Sequence, residues 1–264
     1  MFPTVILSPE SQGISQGFPE ERRKFIDLTI SMVEKEYLYN LIAYKRIIKQ
    51  RNRILSENAN GNLSSKKEVE PWDEQLIKYG SAIIRRRFEV IETFSGICSE
   101  MYSEISGGKE ELSVEYRSTI PVKGDLEDSY RREIEKNRNE DIRKGITVSG
   151  PHRDEIVFRL NSKNAKKYGS QGQHKTILLA LKSAELRFIS EKKGMDPVIL
   201  LDDLFALLDK KRILSFLRIL KNYGQYFVTA NREIRPETLM SEAGFSKDDF
   251  LQMYVREGKI TLRQ

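Results

Sequence analysis

Cysteine occurs once in these 264 residues, at Cys98, and histidine twice, at His152 and His174. One thiol excludes an intrachain disulfide and a cysteine-cluster zinc site, and two histidines leave His152 and Asp154 without a third metal ligand at convincing spacing. An isolated histidine of this kind reads as a loop-fixing hydrogen bonder. The poverty of thiols fits a reducing compartment. Long apolar runs are also missing, which excludes a transmembrane helix. The opening MFPTVILSPE is too short for a secretory leader and ends in Pro9 and Glu10. The expected setting is cytoplasmic, with no membrane partner. The most consequential absence is a phosphate loop: no G-x-x-x-x-G-K-[ST] stretch occurs anywhere in the chain.

Charge is what the chain has in abundance. Charged residues make up 32% and hydrophobic residues 39%, against roughly 25% and 45–50% in typical globular domains, so much solvated surface and long exposed helices are expected. Lys and Arg number 45 against 39 Asp and Glu, a net +6. An excess of this size is compatible with nucleic acid or acidic headgroups, and its distribution carries more information than its sum.

Thr4 to Leu7 reads as a buried strand closed by Ser8 and Pro9. It has no preceding element to pair with, so the expectation is that a front portion belongs elsewhere or is lost. Helical periodicity follows from Pro19 and again from Lys35 to Leu55, where Tyr37, Leu41, Tyr44 and Ile48 form an apolar stripe. Ser56 to Glu70 reads as a loop, with Pro71 and Trp72 opening a further long helix. Leu112, Val114 and Tyr116 alternate with Ser113, Glu115 and Arg117 as in a half-wetted strand, and Asp125 to Asn139 reads as a surface helix. After Gly145 the order is loop, strand, helix from about Ser170 to Glu191, apolar strand Val198 to Leu201, helix and strand, the α/β order of a parallel sheet. A terminal hairpin closes the chain.

Two constellations carry chemistry. The strand Val198 to Leu201 runs into Asp202 and Asp203, and ligands of parallel sheets bind outside the carboxyl ends of the strands. There the first carboxylate can hold Mg2+ through water and the second can orient an attacking water. An ordinary solvated strand end is the competing reading. Ser170-Gln171-Gly172-Gln173 stands before the long helix, where Ser170 and Gln173 form a capping box and Gly172 lets a phosphate approach the backbone; a box that caps a helix without any ligand is the alternative. Arg153 can fork onto a phosphate or a second subunit, with a structural salt bridge as the rival.

The combination resembles the second half of ATP-binding-cassette ATPases. Five stretches sharpen it: Phe18 to Asp27, Tyr44 to Asn52, Gly150-Pro-His-Arg-Asp154, Gly169 to Gln173 and Leu200 to Asp203 resemble, in the same order, the RecF family of bacterial DNA replication and repair proteins. The resemblance implies an α/β fold, a partial ABC-type ATPase core of the P-loop NTPase class with a mainly helical inserted arm. Residues 1–16 would be a residual core strand, 17–144 the arm, and 145–264 the carboxyl-terminal part of the core. It further implies ATP and Mg2+ as cofactors of the complete architecture, a homodimer when ATP is bound, single- and double-stranded DNA as partners, RecR and RecO as repair partners, and a role in recombinational repair and the SOS response. Full members carry a phosphate-loop lobe ahead of the region matched, so this chain alone is not expected to bind ATP tightly, and its enzymatic standing is open.

Residue by residue, the resemblance makes Ser170, Gly172 and Gln173 the signature that closes over a partner's nucleotide, Asp202 the metal carboxylate, Asp203 the catalytic carboxylate and Asp209 the aspartate of the loop that communicates across the dimer. Leu207 stands where the family usually has Glu. Thr229 lies near the switch position, where many cassette ATPases carry His, which implies slow turnover. Lys45, Arg46, Lys49, Arg51 and Arg53 on one helix and Arg85, Arg86 and Arg87 on the next are candidate contacts to DNA phosphates. The alternative function is a non-enzymatic module that binds DNA or repair proteins and retains vestigial ATPase motifs. A purely structural arm would leave the pairing of Ser170 with Asp202 unexplained.

Overall fold

The computed structural model describes residues 2–58, 65–203, 208–230, 236–256 and 258–262. Two small sheets and a bundle of long helices share one hydrophobic core. The first sheet is parallel, with Val198–Leu201 in the middle, Thr4–Leu7 on one side and Tyr226–Val228 on the other. Its register pairs Val5 with Ile199 and Leu7 with Leu201. Alternation along the strands buries Val5, Leu7, Ile199 and Leu201 on one face and leaves Ile6 and Phe227 exposed on the other. The second sheet is antiparallel and pairs Leu112–Arg117 with Glu155–Leu160, from Leu112 opposite Leu160 to Arg117 opposite Glu155. It therefore joins strands from either side of residue 144.

The helix Gln171–Lys193 occupies the centre. It is buried nearly all round from Thr176 to Ile189, as expected of a helix covered on more than one side. The arm is built from Pro19–Val33, Lys35–Asn58, Ser65–Ser106 and Leu126–Lys144. The third of these has 42 residues, about 63 Å at 1.5 Å per residue. Its buried positions Ile83, Ile84, Arg87, Val90, Ile91, Phe94, Ile97 and Cys98 recur at three- and four-residue intervals. The helix does not open at Pro71. It begins at Ser65 and carries Pro71 inside, because fully buried Val69 anchors the turn before the proline; of the expected 56–70 loop, residues 59–64 lie outside the described residues.

The charged helix ahead of residue 145 starts at its Asp125 cap, whose side chain accepts from the Asp128 N–H, and ends on left-handed Gly145. It is less superficial than its composition implies, since Tyr130, Ile134 and Asp141 are buried. The terminal hairpin pairs Met253–Arg256 with Lys259–Leu262. Among the described residues no helix is long and apolar enough to cross a membrane.

Candidate functional site

At the carboxyl end of the parallel sheet the backbone amide of Asp202 donates to the Leu7 carbonyl at 2.8 Å, so the neighbouring strand fixes where the first carboxylate leaves the sheet. The Thr229 hydroxyl donates to Asp202 Oδ1 at 2.7 Å and accepts from the Asp203 N–H at 3.0 Å. One hydroxyl at the end of the adjacent strand thus orients one carboxylate and holds the backbone of the next. Asp203 needs that support, because its φ of 50° lies in the left-handed region, where a residue with a Cβ is held only by surrounding contacts. The Asp202 carboxylate is exposed and Asp203 half-buried.

Ser170 and Gln173 form the expected capping box. Ser170 Oγ accepts from the Gln173 N–H at 3.2 Å, and Gln173 Oε1 accepts from the Ser170 N–H at 2.7 Å. The box is also tied outward. Gln173 Nε2 donates to Glu110 Oε1 at 2.5 Å, and the other Glu110 oxygen accepts from Tyr102 of the 42-residue helix at 2.7 Å. Space beside Gly172 is limited: a Cβ there would sit 3.0 Å from Arg212 Nη2, which would have to shift.

Asp209 caps the helix Lys210–Leu220 by accepting from the Arg212 N–H at 3.1 Å, and its other oxygen accepts from the Arg212 guanidinium. Partial burial pushes the Asp209 carboxyl upward, but the bonds from Arg212 outweigh it and hold the group below its ordinary range. Leu207 lies outside the described residues. Among the described residues no hydrogen bond joins Ser170 to Asp202 or Asp203, and no group of three or more His, Cys, Asp or Glu could by itself hold a metal ion. Two carboxylates alone do not make a Mg2+ shell, and phosphate oxygens and water would have to supply the rest.

The Gly150 to Asp154 loop is a junction. Its neighbour Thr147 offers a carbonyl to His152 Nε2 at 3.0 Å, while Tyr44 bonds His152 Nδ1 at 2.7 Å. A carbonyl partner requires the proton on Nε2, so Tyr44 donates to Nδ1. Burial, joined by the nearby Arg153, Arg23 and Arg51 charges, pulls His152 down to about 4. Asp154 is fully buried and accepts from the Thr119 N–H at 2.7 Å, the Thr119 hydroxyl at 2.8 Å and the Tyr116 hydroxyl. Arg153 is exposed, and its only hydrogen-bonding side-chain atom among the described residues, Nε, donates to the Thr147 carbonyl at 3.2 Å.

Two of the expected DNA contacts must be corrected. Arg51 is fully buried, bonded to Asp73 at 2.7 Å, Asp141 at 2.7 Å and Thr147 at 2.8 Å. Arg87 is 2% exposed, clamped by Asp27 and donating to the Pro151 carbonyl at 2.7 Å. Neither can reach a DNA phosphate without unfolding the junction it holds. Arg86 is half-buried and paired with Glu34 and Glu89, and Arg53 is paired with Glu57. Lys45, Arg46, Lys49 and Arg85 are exposed. The pattern alone did not disclose Thr176, Glu110 or Tyr102 beside the signature. Arg212 could have been suspected from its place three residues after Asp209.

A parallel sheet ending in two carboxylates, a capped serine-glycine box on the central helix and an inserted helical arm define an ABC-type ATPase core. No known family model matches the chain. The "DNA replication and repair protein RecF" of Halothermothrix orenii is 39% identical over 232 residues, 86% of this chain and 62% of the relative; that of Clostridium tetani is 40% identical over 221 residues, 81% and 59%. The solved structure described as "the recombination mediator protein RecF-ATP in RecFOR pathway" superposes with a TM-score of 0.84 at 28% identity, covering 100% of this chain and 68% of that one. The chain belongs to the RecF family. It spans about 60% of the length of the curated relatives it matches.

Proposed function

We propose that the chain contributes the signature and acidic halves of an ATP-dependent DNA clamp used in recombinational repair and replication. The observation that supports this best is the Thr229 hydroxyl bridging Asp202 and the Asp203 amide at the mouth of the parallel sheet. An ordinary strand end has no need of a left-handed aspartate held by a neighbouring strand. In this reading Asp202 helps hold Mg2+, which when bound would neutralise charge on the nucleotide's terminal phosphates, and Asp203 accepts the proton of an attacking water. Ser170, Gly172 and Gln173 face the nucleotide of a second subunit, and Asp209 serves the same interface. ATP then favours the dimer because each subunit supplies a different part of each closed site. Single- and double-stranded DNA, RecR and RecO are the proposed partners, the cytoplasm the proposed setting, and residues 1–16 and 145–264 the core from which the arm 17–144 projects.

No phosphate loop occurs in this sequence, so the test supplies one. The part of the Halothermothrix orenii relative outside the matched residues is fused to this chain, and ATP turnover and ATP-dependent dimerisation are measured with and without Asp203→Asn. The variant is expected to dimerise with ATP while losing at least about tenfold in turnover. Equal turnover removes Asp203 from its role and favours the vestigial, non-enzymatic alternative.

A further inference from the structure

The serine-glycine box and the acidic loop serve different composite sites in the reading above, yet within one chain they are wired together. Asp209 Oδ2 accepts from Arg212 Nη1. Arg212 Nε donates to Thr176 Oγ1 at 2.7 Å. Thr176 in turn donates to the Gly172 carbonyl at 3.0 Å, inside the first turn of the helix that Ser170 caps. Every bond runs in a consistent direction: the guanidinium only donates, the carboxylate only accepts, and the threonine hydroxyl accepts from Arg212 and donates to Gly172. Thr176 is 2% exposed, so a hydroxyl there that lost either partner would be left unsatisfied away from water.

The fit of Arg212 against the box is close as well as polar. Its Nη2 lies 3.0 Å from where a Gly172 Cβ would stand, so the guanidinium fills the space beside the box that a side chain at 172 would take. A charge placed near Asp209 competes for Arg212, loosens its hold on Thr176 and alters the first turn of the helix. The reverse path is equally open.

We infer that Arg212 is a positioning residue that transmits the state of the Asp209 loop to the serine-glycine box of the same chain. This rests on the proposed function for its consequence: because the box serves the partner's nucleotide and Asp209 follows Asp202 and Asp203 in sequence at the same interface, the relay makes the two nucleotide sites of a dimer report on each other. Such coupling is reciprocal in binding free energy and typically 5- to 150-fold in affinity.

The test needs no nucleotide, so its failure is distinguishable from failure of the reading of the site. Amide hydrogen exchange is followed in the intact chain at residues 171–176 and 210–214. Asp209→Asn keeps a good helix cap while removing the charge that holds Arg212, and should speed exchange at 171–176 by about fivefold or more. In an Arg212→Lys background, where the Nε donor to Thr176 is gone, the same change should add nothing. Thr176→Val should perturb 210–214 reciprocally, and only when Arg212 is present. Unchanged exchange at 171–176 in Asp209→Asn overturns the inference, and so does an equal increment in both backgrounds, because local loss of packing needs no relay.

Discussion

Two cationic regions of the arm teach opposite lessons. At the junction with the core, Arg51 and Arg87 are buried, and carboxylates face both charges, Asp73 and Asp141 for Arg51 and Asp27 for Arg87. On the outer faces of the same helices Lys45, Arg46, Lys49 and Arg85 stand in solvent. Burial converts an arginine from a long-range attractor into a structural tie, since a charge taken from water must be compensated at close range. The buried arginines therefore tie helices to one another, and the exposed cations keep their charge in solvent.

The sharpest break in that comparison comes from removing one buried partner. Arg87→Met leaves Asp27 and Asp154 buried without their cation and is expected to destabilise the fold by about 3–5 kcal/mol. Arg53→Met removes a pair in which both side chains are mostly exposed and should leave the urea midpoint unchanged. Equal midpoints for the two variants would mean that the junction is not held by charge.

His152 tests the same junction by pH. Its folded value of about 4 lies below its ordinary 6.5, so the unfolded chain binds the proton first and stability is lost as pH falls from about 6.5 to about 4, levelling below that. The loss amounts to roughly 3 kcal/mol. Carboxylates titrate in both proteins, so the difference between the parent and His152→Gln isolates the histidine. Parallel stability curves over that window would show that His152 is protonated in the fold.

How legible these roles were in the sequence depended on how local they are. The Ser170–Gln173 box is read correctly because both partners lie within one turn, and the strand before Asp202 because a short apolar run bounded by carboxylates has few other fates. Charge alone groups Arg51 and Arg87 with the solvent-facing cations, although each lies in phase with the buried stripe: Arg51 between Ile47 and Leu55, Arg87 between Ile84 and Val90. Helical phase could have separated them from Lys45 and Arg85. Their acidic partners could not have been found this way, since Asp27, Asp73 and Asp141 come from other helices. The same holds for Arg212, whose cap partner is local and whose threonine is 36 residues away in sequence. Pro71 misled because a proline suits a first turn as well as it fits after buried Val69.

The smallest effect on stability should accompany a large effect on DNA. Lys45→Glu, Lys49→Glu and Arg85→Glu combined alter only exposed positions, so the melting transition should not move. If these residues meet phosphates, log affinity for duplex DNA should fall, and its slope against log salt should become shallower by about 0.9 for each contact removed. The signature of a footprint is that slope, because a nonspecific loss of structure changes affinity without a defined number of released ions. An unchanged slope would take the outer faces of these helices out of the DNA interface and leave Arg153, exposed at the junction and bonded among the described residues only through its Nε, as the next cation to test.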